Sequence, residues 1–193
     1  MSEPSASVIA GVQRFPQSVV VEIIERFDSA GIMFWVDGGW GVDALLREQA
    51  REHWDLDLVV RQADLPTAVR ELEALGYSHE PDVVPGLPAR MVVGNAARQQ
   101  IDLHPVVLDE CGNGWQPLGG GAWDQYPNDG LAGEGEIGGR PVRCLTAALQ
   151  LRHHLGYPWD EDDQGDMGRL AEAFGVPMPP PQGDVLAFDP DDA

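Results

Sequence analysis

Apolar residues recur at intervals of three and four from Val19 and Val20 through Ile23 and Ile24 to Phe27. This spacing predicts an amphipathic helix, opened by Pro16 and ended by Gly31. Met33-Phe34-Trp35-Val36 predicts a short buried strand. Asp37-Gly38-Gly39 then reads as a turn, and residues 40–47 as a helix carrying Trp40, Val42, Ala44, Leu45 and Leu46. From Asp55 to Val60 polar and apolar residues alternate before the run becomes wholly apolar. That pattern suits a strand with one end at a solvent-facing site. Asp64 predicts the cap of a helix over 65–75, closed by Gly76. Strands are predicted at 90–93 and 100–107. The stretch 111–139 is rich in Gly, Pro and Trp, which predicts turns with short strands around Trp123 and Ile137. Residues 142–145 predict a last short strand. Thr146 predicts the cap of a helix reaching about His154, and 160–174 a final helix stopped by Gly175.

The order of elements predicts an α+β (α/β) domain, a mixed β-sheet flanked by helices with a C-terminal helical segment. No internal repeat is visible. The expected organisation is a leader at 1–13, an α/β domain at 14–145, helices packed on it at 146–176, and a Pro-rich acidic tail at 177–193.

Composition narrows the chemistry. The 193 residues carry 12 basic and 32 acidic side chains, a formal net charge of −20. Nucleic acid and anionic membranes would be repelled by such a chain, whereas a cationic small molecule or metal-bound phosphates would not. All 12 basic residues are Arg. Without Lys there is no Schiff-base chemistry on a lysine and no P-loop. Two cysteines, Cys111 and Cys144, make neither a disulfide framework nor a structural zinc site, and both are expected to be buried bystanders. Residues 1–11 show no basic n-region with an apolar stretch, and no run approaches the length of a membrane span. A cytoplasmic protein is the expectation.

The informative stretch runs from Asp37 to Val60. Residues i and i+2 of a strand share a face, so Asp55 and Asp57 converge. Two carboxylates that close repel unless a cation lies between them. Mg²⁺ fits, because it prefers oxygen ligands and keeps phosphates and water in its shell. Asp102 lies on another apolar strand, in Gln100-Ile101-Asp102-Leu103-His104-Pro105. If the two strands are neighbours, three carboxylates meet at one sheet end and can hold two metals about 3.5–4 Å apart for in-line displacement at phosphorus. The helix after Gly38-Gly39 offers its first N–H groups to phosphate.

In this arrangement the chain resembles the nucleotidyltransferase superfamily, whose signature is a Gly-Gly or Gly-Ser turn, then Asp-x-Asp, then a later acid. More narrowly it resembles the small lincosamide nucleotidyltransferases and their aminoglycoside 2″-nucleotidyltransferase relatives. The matching text runs from Trp35 to Leu46 and continues with Arg51-Glu52-His53, Asp55-Leu56-Asp57 and Ile101 to Pro105. It ends with Gln150, His154-Leu155-Gly156-Tyr157, Asp163 and Asp166. The resemblance implies an antibiotic-resistance adenylyltransferase that moves a nucleoside monophosphate, usually AMP from ATP, to a hydroxyl of a small molecule. It implies that Asp55 and Asp57 hold Mg²⁺, and that Asp102 completes the metal site or takes the proton of the attacking hydroxyl. Gly38, Gly39 and the helix from Trp40 would hold the triphosphate, with Arg51 and His53 at the nucleotide edge.

The acceptor side is less defined. His154 enters through the resemblance, although His153 and His154 each also suit packing or surface roles. Tyr157 suits stacking on nucleotide or acceptor as well as a core position. Asp163, within Asp160-Glu161-Asp162-Asp163, suits a solvated helix start or a landing site for a cationic acceptor, and Glu134 has similar standing. Trp115, Trp123 and Trp159 suit a pocket wall or ordinary structural roles, and Asp43 suits a brace for the Gly-Gly helix. A homodimer is compatible with the chain and not required by it. Two alternatives stay open: a non-catalytic nucleotide- or ligand-binding protein on the same fold, and nucleotidyl transfer to a protein acceptor.

Overall fold

The computed structural model describes residues 14–81, 86–155 and 157–178. The leader expected at 1–13 and all but the first two residues of the tail expected at 177–193 lie outside them, as does Gly156. Among the described residues the helices are α1 (Gln17–Ser29), α2 (Gly38–Leu46), α3 (Leu65–Ala74), α4 (Ala147–His153) and α5 (Glu161–Phe174). The strands are β1 (Phe34–Asp37), β2 (Asp55–Arg61), β3 (Ser78–His79), β4 (Met91–Gly94), β5 (Gln100–Leu108), β6 (Gly114–Gly119), β7 (Ala122–Tyr126), β8 (Gly133–Ile137) and β9 (Arg140–Cys144). They form a mixed sheet in the order β3-β4-β5-β2-β1-β9-β8. The β6–β7 hairpin leaves this path by pairing with the far end of β5. β1 runs antiparallel to β2, while β2–β5 and β1–β9 are parallel pairs.

The two-residue period of the strands divides the sheet into an apolar face and a working face. Val36, Leu56, Leu58, Val60, Ile101 and Leu103 enter one core with Val20, Ile23, Ile24 and Phe27 of α1 and Ala68 and Leu72 of α3. Each fully buried Leu or Ile there stabilises the fold by about 1.5–3 kcal/mol. The alternate residues point the other way. Trp35, Val59 and Val106 meet Tyr126, Leu131, Leu145 and Leu149 in a second cluster, where Trp35 Nε1 donates to Leu131 O at 2.8 Å. A one-residue slip of β2 would drive Asp57 into the first core and bring Leu56 and Leu58 out. The core therefore sets the register of the acidic residues.

Several local expectations change. β1 passes into α2 with no intervening turn: Asp37 is the last residue of β1 and also the N-cap, its carboxylate accepting from Gly38 N at 2.8 Å. Asp64 does not cap α3 through its side chain. Its carboxylate is taken instead by Arg61, at 2.7 and 2.8 Å, and by Met33 N–H at 3.0 Å, which ties the end of β2 to the start of β1. Thr146 stands at the N-cap of α4 but makes no side-chain cap bond. The stretch 111–139 is more regular than its composition suggests, because β6 and β7 pair over most of their length. Cys144 is buried as expected, whereas Cys111 is exposed in the β5–β6 turn. The start of α5 is a capping box, with Asp160 accepting from Asp163 N and Asp163 from Asp160 N.

Candidate active site

Asp37, Asp57 and Asp102 stand abreast on three adjacent strands. Asp37 pairs with Asp57 across β1–β2, and Asp57 with Asp102 across β2–β5. Asp55 and His104 lie two residues along their strands and share that face. Oxygen and nitrogen ligand atoms of Asp57, Asp102 and His104 all lie within 4.8 Å of one another. Although Asp55 keeps an exposed edge, burial of its carboxyl and the charges of Asp57 and Asp102 push it up to about 6. Burial and Asp57 also raise Asp102, against the pull of Arg90, whose Nη1 donates to Asp102 Oδ2 at 2.5 Å. Burial alone would raise Asp37 too, but His153, His104 and the Gly38 N–H hold it below the usual carboxylate range. Burial lowers His104, and the surrounding carboxylates of Asp57, Asp37 and Asp102 outweigh it. Such a row of crowded oxygens fits a hard divalent cation, which relieves the repulsion that lifts Asp55 and Asp102.

The start of α2 faces this row. Gly38 has φ +59, and a Cβ there would stand 3.1 Å from Asp57 Cγ. A Cβ on Gly39 would stand 2.7 Å from both Arg51 Nη2 and His53 Cε1. The backbone thus passes so close to three functional side chains that only glycine fits. The first N–H groups of this helix carry its positive pole. Trp40 is 2% exposed, so its indole belongs to the core and only its backbone faces the site.

Arg51 and His53, expected at the nucleotide edge, are held behind the Gly-Gly segment. His53 is 2% exposed. It bonds Asp43 Oδ2 at 2.5 Å, with its ring 4.7 Å from Trp40. Asp43 also accepts from Ala50 N at 3.1 Å, which makes it the brace expected of it. Arg51 donates twice to Asp166 of α5, at 2.8 and 3.1 Å, and pairs with Asp162 at 3.4 Å.

A cleft of about 910 Å³ opens over the row. Its floor holds Asp37, Gly38, Asp57, His104, Gln116 and Tyr126. Arg90, Leu118 and Asp124 wall one side, with His153, His154, Leu155 and Tyr157 from the end of α4 and the turn beyond. His153 sits between Asp37 (3.9 Å) and Asp124 (3.8 Å), its ring edge-on to Tyr126. His154 donates through Nδ1 to Gln150 O at 2.8 Å and lies 3.6 Å from Asp163. Tyr157 reaches Asp163 at 3.5 Å. Burial and Asp163 push the Tyr157 phenol up to about 12. Asp163 is thus engaged by α5's own start and by His154 and Tyr157. Glu134 is not brought to this cleft; it lines a separate hollow of about 310 Å³ with Phe34 and Arg143. Trp123 is 53% exposed on β7 and does not line the cleft, while Trp159 packs against the main core.

Sequence reasoning left out Asp37, Arg90, His104, Gln116 and Tyr126 as site residues, and weighed His153 without placing it at the site. The same i, i+2 argument that joined Asp55 to Asp57 joins Asp102 to His104. Asp37 was legible as the acid immediately before Gly-Gly. The others depend on strand pairing that no local pattern announces.

Comparison with known proteins agrees with this geometry. The sequence profile of the family described as aminoglycoside-2″-adenylyltransferase matches residues 19–170. A lincosamide resistance protein of Staphylococcus haemolyticus is 32% identical over 148 residues, covering 77% of this chain and 89% of the relative. The crystal structure of a lincosamide antibiotic adenylyltransferase with lincomycin bound superposes with a TM-score of 0.73 at 30% identity, covering 82% of this chain and 98% of that one. An aminoglycoside 2″-nucleotidyltransferase in complex with adenylyl-2″-tobramycin shares the fold, with a TM-score of 0.63 at 20% identity, covering 81% of this chain and 88% of that one.

Proposed function

The chain belongs to the aminoglycoside-2″-adenylyltransferase family and is a nucleotidyltransferase, and we propose that it transfers AMP from ATP to a hydroxyl of a lincosamide-type antibiotic in the cleft above Asp57. The observation that carries this reading is the row Asp37–Asp57–Asp102 facing the start of α2. Asp55, Asp57 and Asp102 would hold Mg²⁺, two ions in the fullest form of the site. When bound, the metal neutralises phosphate charge and polarises the phosphoryl oxygens.

The chain's own groups do the rest. The Gly38 N–H is held by Asp37, and the N–H groups of Gly39 and Trp40 would face the triphosphate and favour its negative charge through the helix pole. Arg51 and His53 support that segment from behind through Asp166 and Asp43. Asp102 completes the metal site or takes the proton of the attacking hydroxyl. The catalysis is positioning and charge stabilisation as pyrophosphate leaves.

The outer walls suit an acceptor with an apolar face. Leu118 (48% exposed), Leu155 (46%) and Tyr157 (41%) present carbon surface at the mouth. Asp124 is already engaged by Arg152 and His153, which leaves less unpaired acid for a polycation. His154 and Tyr157 would form the acceptor wall, with Asp163 behind them; Glu134 takes no part.

The test is pyrophosphate release with ATP and Mg²⁺ against lincosamides, aminoglycosides and simple sugars, with Asp57→Asn as the blank. Release with a lincosamide that vanishes in the mutant supports the proposal. Release with aminoglycosides alone transfers the reading to that acceptor class. Failure to bind ATP–Mg²⁺ in calorimetry overturns it in favour of a non-catalytic protein on this fold.

A further inference from the structure

His104 lies among the acidic groups with two ways to act: as a nitrogen ligand to the cation, or as a hydrogen-bond donor to a carboxylate that is one. The two need opposite tautomers at Nε2. The side chains behind the ring decide between them.

Gln116 is 6% exposed, and Tyr126 is 3% exposed. The Gln116 amide lies 2.7 Å from Ala89 O. A backbone carbonyl only accepts, so the Gln116 atom facing it is Nε2. The other end agrees, because Tyr126 OH donates to Gln116 Oε1 at 2.8 Å. Burial followed by the charges of Asp37 and Asp124 hold that phenol far above its ordinary value, so it remains a donor. The amide orientation is therefore fixed from both ends. Its Nε2 also lies 3.3 Å from His104 Nδ1. An NH₂ group can only donate, so Nδ1 accepts and carries no proton. The ring proton is then on Nε2, which lies 3.4 Å from Asp57 Oδ1.

We infer that His104 is a positioning residue and not a metal ligand. Tyr126 and Gln116 fix its Nε2–H tautomer, and Nε2–H donates to Oδ1 of Asp57, so that Oδ2, the oxygen nearer Gly38, is presented to the cation. The inference rests on the metal role given to Asp57 above. It gives Asp57 the outer hydrogen bond by which metal-binding carboxylates are oriented, supplied from β5 and the β6–β7 hairpin.

Two measurements test it. Long-range proton–nitrogen spectra of ¹⁵N-labelled, metal-free protein should show a pyrrole-like Nε2 and a pyridine-like Nδ1 for His104. The pattern should persist on addition of Mg²⁺, and of Zn²⁺, which seeks imidazole nitrogen. A proton on Nδ1 with a bare Nε2, a doubly protonated ring, or a Zn²⁺-induced loss of the Nε2 proton overturns the inference. The second measurement is Mg²⁺ affinity by calorimetry. His104→Leu should bind Mg²⁺ about 10- to 100-fold more weakly. His104→Gln, whose amide keeps a donor toward Asp57, should recover most of the loss. Equal affinity of His104→Leu and the unmodified protein overturns the inference; if either variant fails to fold, the spectra of the unmodified chain decide. The wrong tautomer in a protein that binds Mg²⁺ defeats this inference alone. Absence of Mg²⁺ binding by the unmodified chain defeats the metal reading and this inference together.

Discussion

The carboxylate of Asp57 occupies the space that a side chain on Gly38 would fill, since a Cβ at Gly38 would stand 3.1 Å from Asp57 Cγ and nearer still to Oδ2. Gly38 also holds φ +59, where side-chain-bearing residues are strained. Gly38→Ala should therefore displace Asp57 without removing any ionisable group. Its kcat/KM for nucleotidyl transfer should fall about 100-fold, the scale of a misplacement near 1 Å. Asp57→Asn should fall further, by at least about 1000-fold, with unchanged circular dichroism. Steady-state pyrophosphate release with both variants checks the order.

The elevated carboxyl of Asp55 gives a signed pH effect. Its folded value of about 6 lies above its model-peptide value of 3.8, so the folded chain binds the proton more tightly. The stabilising contribution is complete below the unfolded value and is lost as pH rises through about 6. Metal-free protein should thus lose this contribution between about pH 4 and pH 7. Mg²⁺ acts in the opposite sense, since it competes with that proton. Its increase in Tm should be larger at about pH 7.5 than at about pH 5. Asp55→Asn should remove most of the difference in thermal-shift measurements.

Arg51 and Asp166 join α5 to the segment behind Gly39 across 115 residues of sequence. The Asp166 side chain is 3% exposed and is also held by Arg169, so its removal takes a carboxylate from two guanidinium groups, of which Arg51 keeps Asp162. Asp166→Ala should cost about 1.5–3 kcal/mol in urea unfolding. Part of the loss should return with ATP and Mg²⁺, which clamp the same segment from the front.

Leu118 and Leu155 both line the cleft and are about half exposed. Leu118→Ala and Leu155→Ala should each raise KM for the acceptor about tenfold, the value of one apolar side chain on a ligand. KM for ATP should stay within about twofold. Initial rates with one substrate saturating separate the two constants.

Much of this was legible before the structure. The stripe of α1 and the alternation of β2 are periodic signals, and they place Leu56 and Leu58 inward and Asp55 and Asp57 outward. Asp102 was legible because β5 repeats that alternation. What local pattern cannot encode is which strands become neighbours. Asp37 joins the row only because β1 lies beside β2, and Gln116 reaches His104 only because the hairpin folds back. Asp64 misled because an acid before a helix suits a cap, whereas Arg61 three residues earlier competes for the same carboxylate. The resemblance put His53 at the nucleotide edge, yet Asp43 ten residues away draws it inward.

β5 belongs to two neighbourhoods. Its first part is locked to β2 by the register that sets Asp57 beside Asp102, and its last residues pair with β6. Leu118 and Asp124 hang from the hairpin that begins there, while Leu155 and Tyr157 follow α4. The row of acids and the proposed acceptor walls thus lie on different stretches of chain. The exposed wall residues Leu118 and Leu155 lie off the strands that carry the acids. A lineage built this way can exchange one drug for another by drift in the outer walls while the transfer machinery stays as it was.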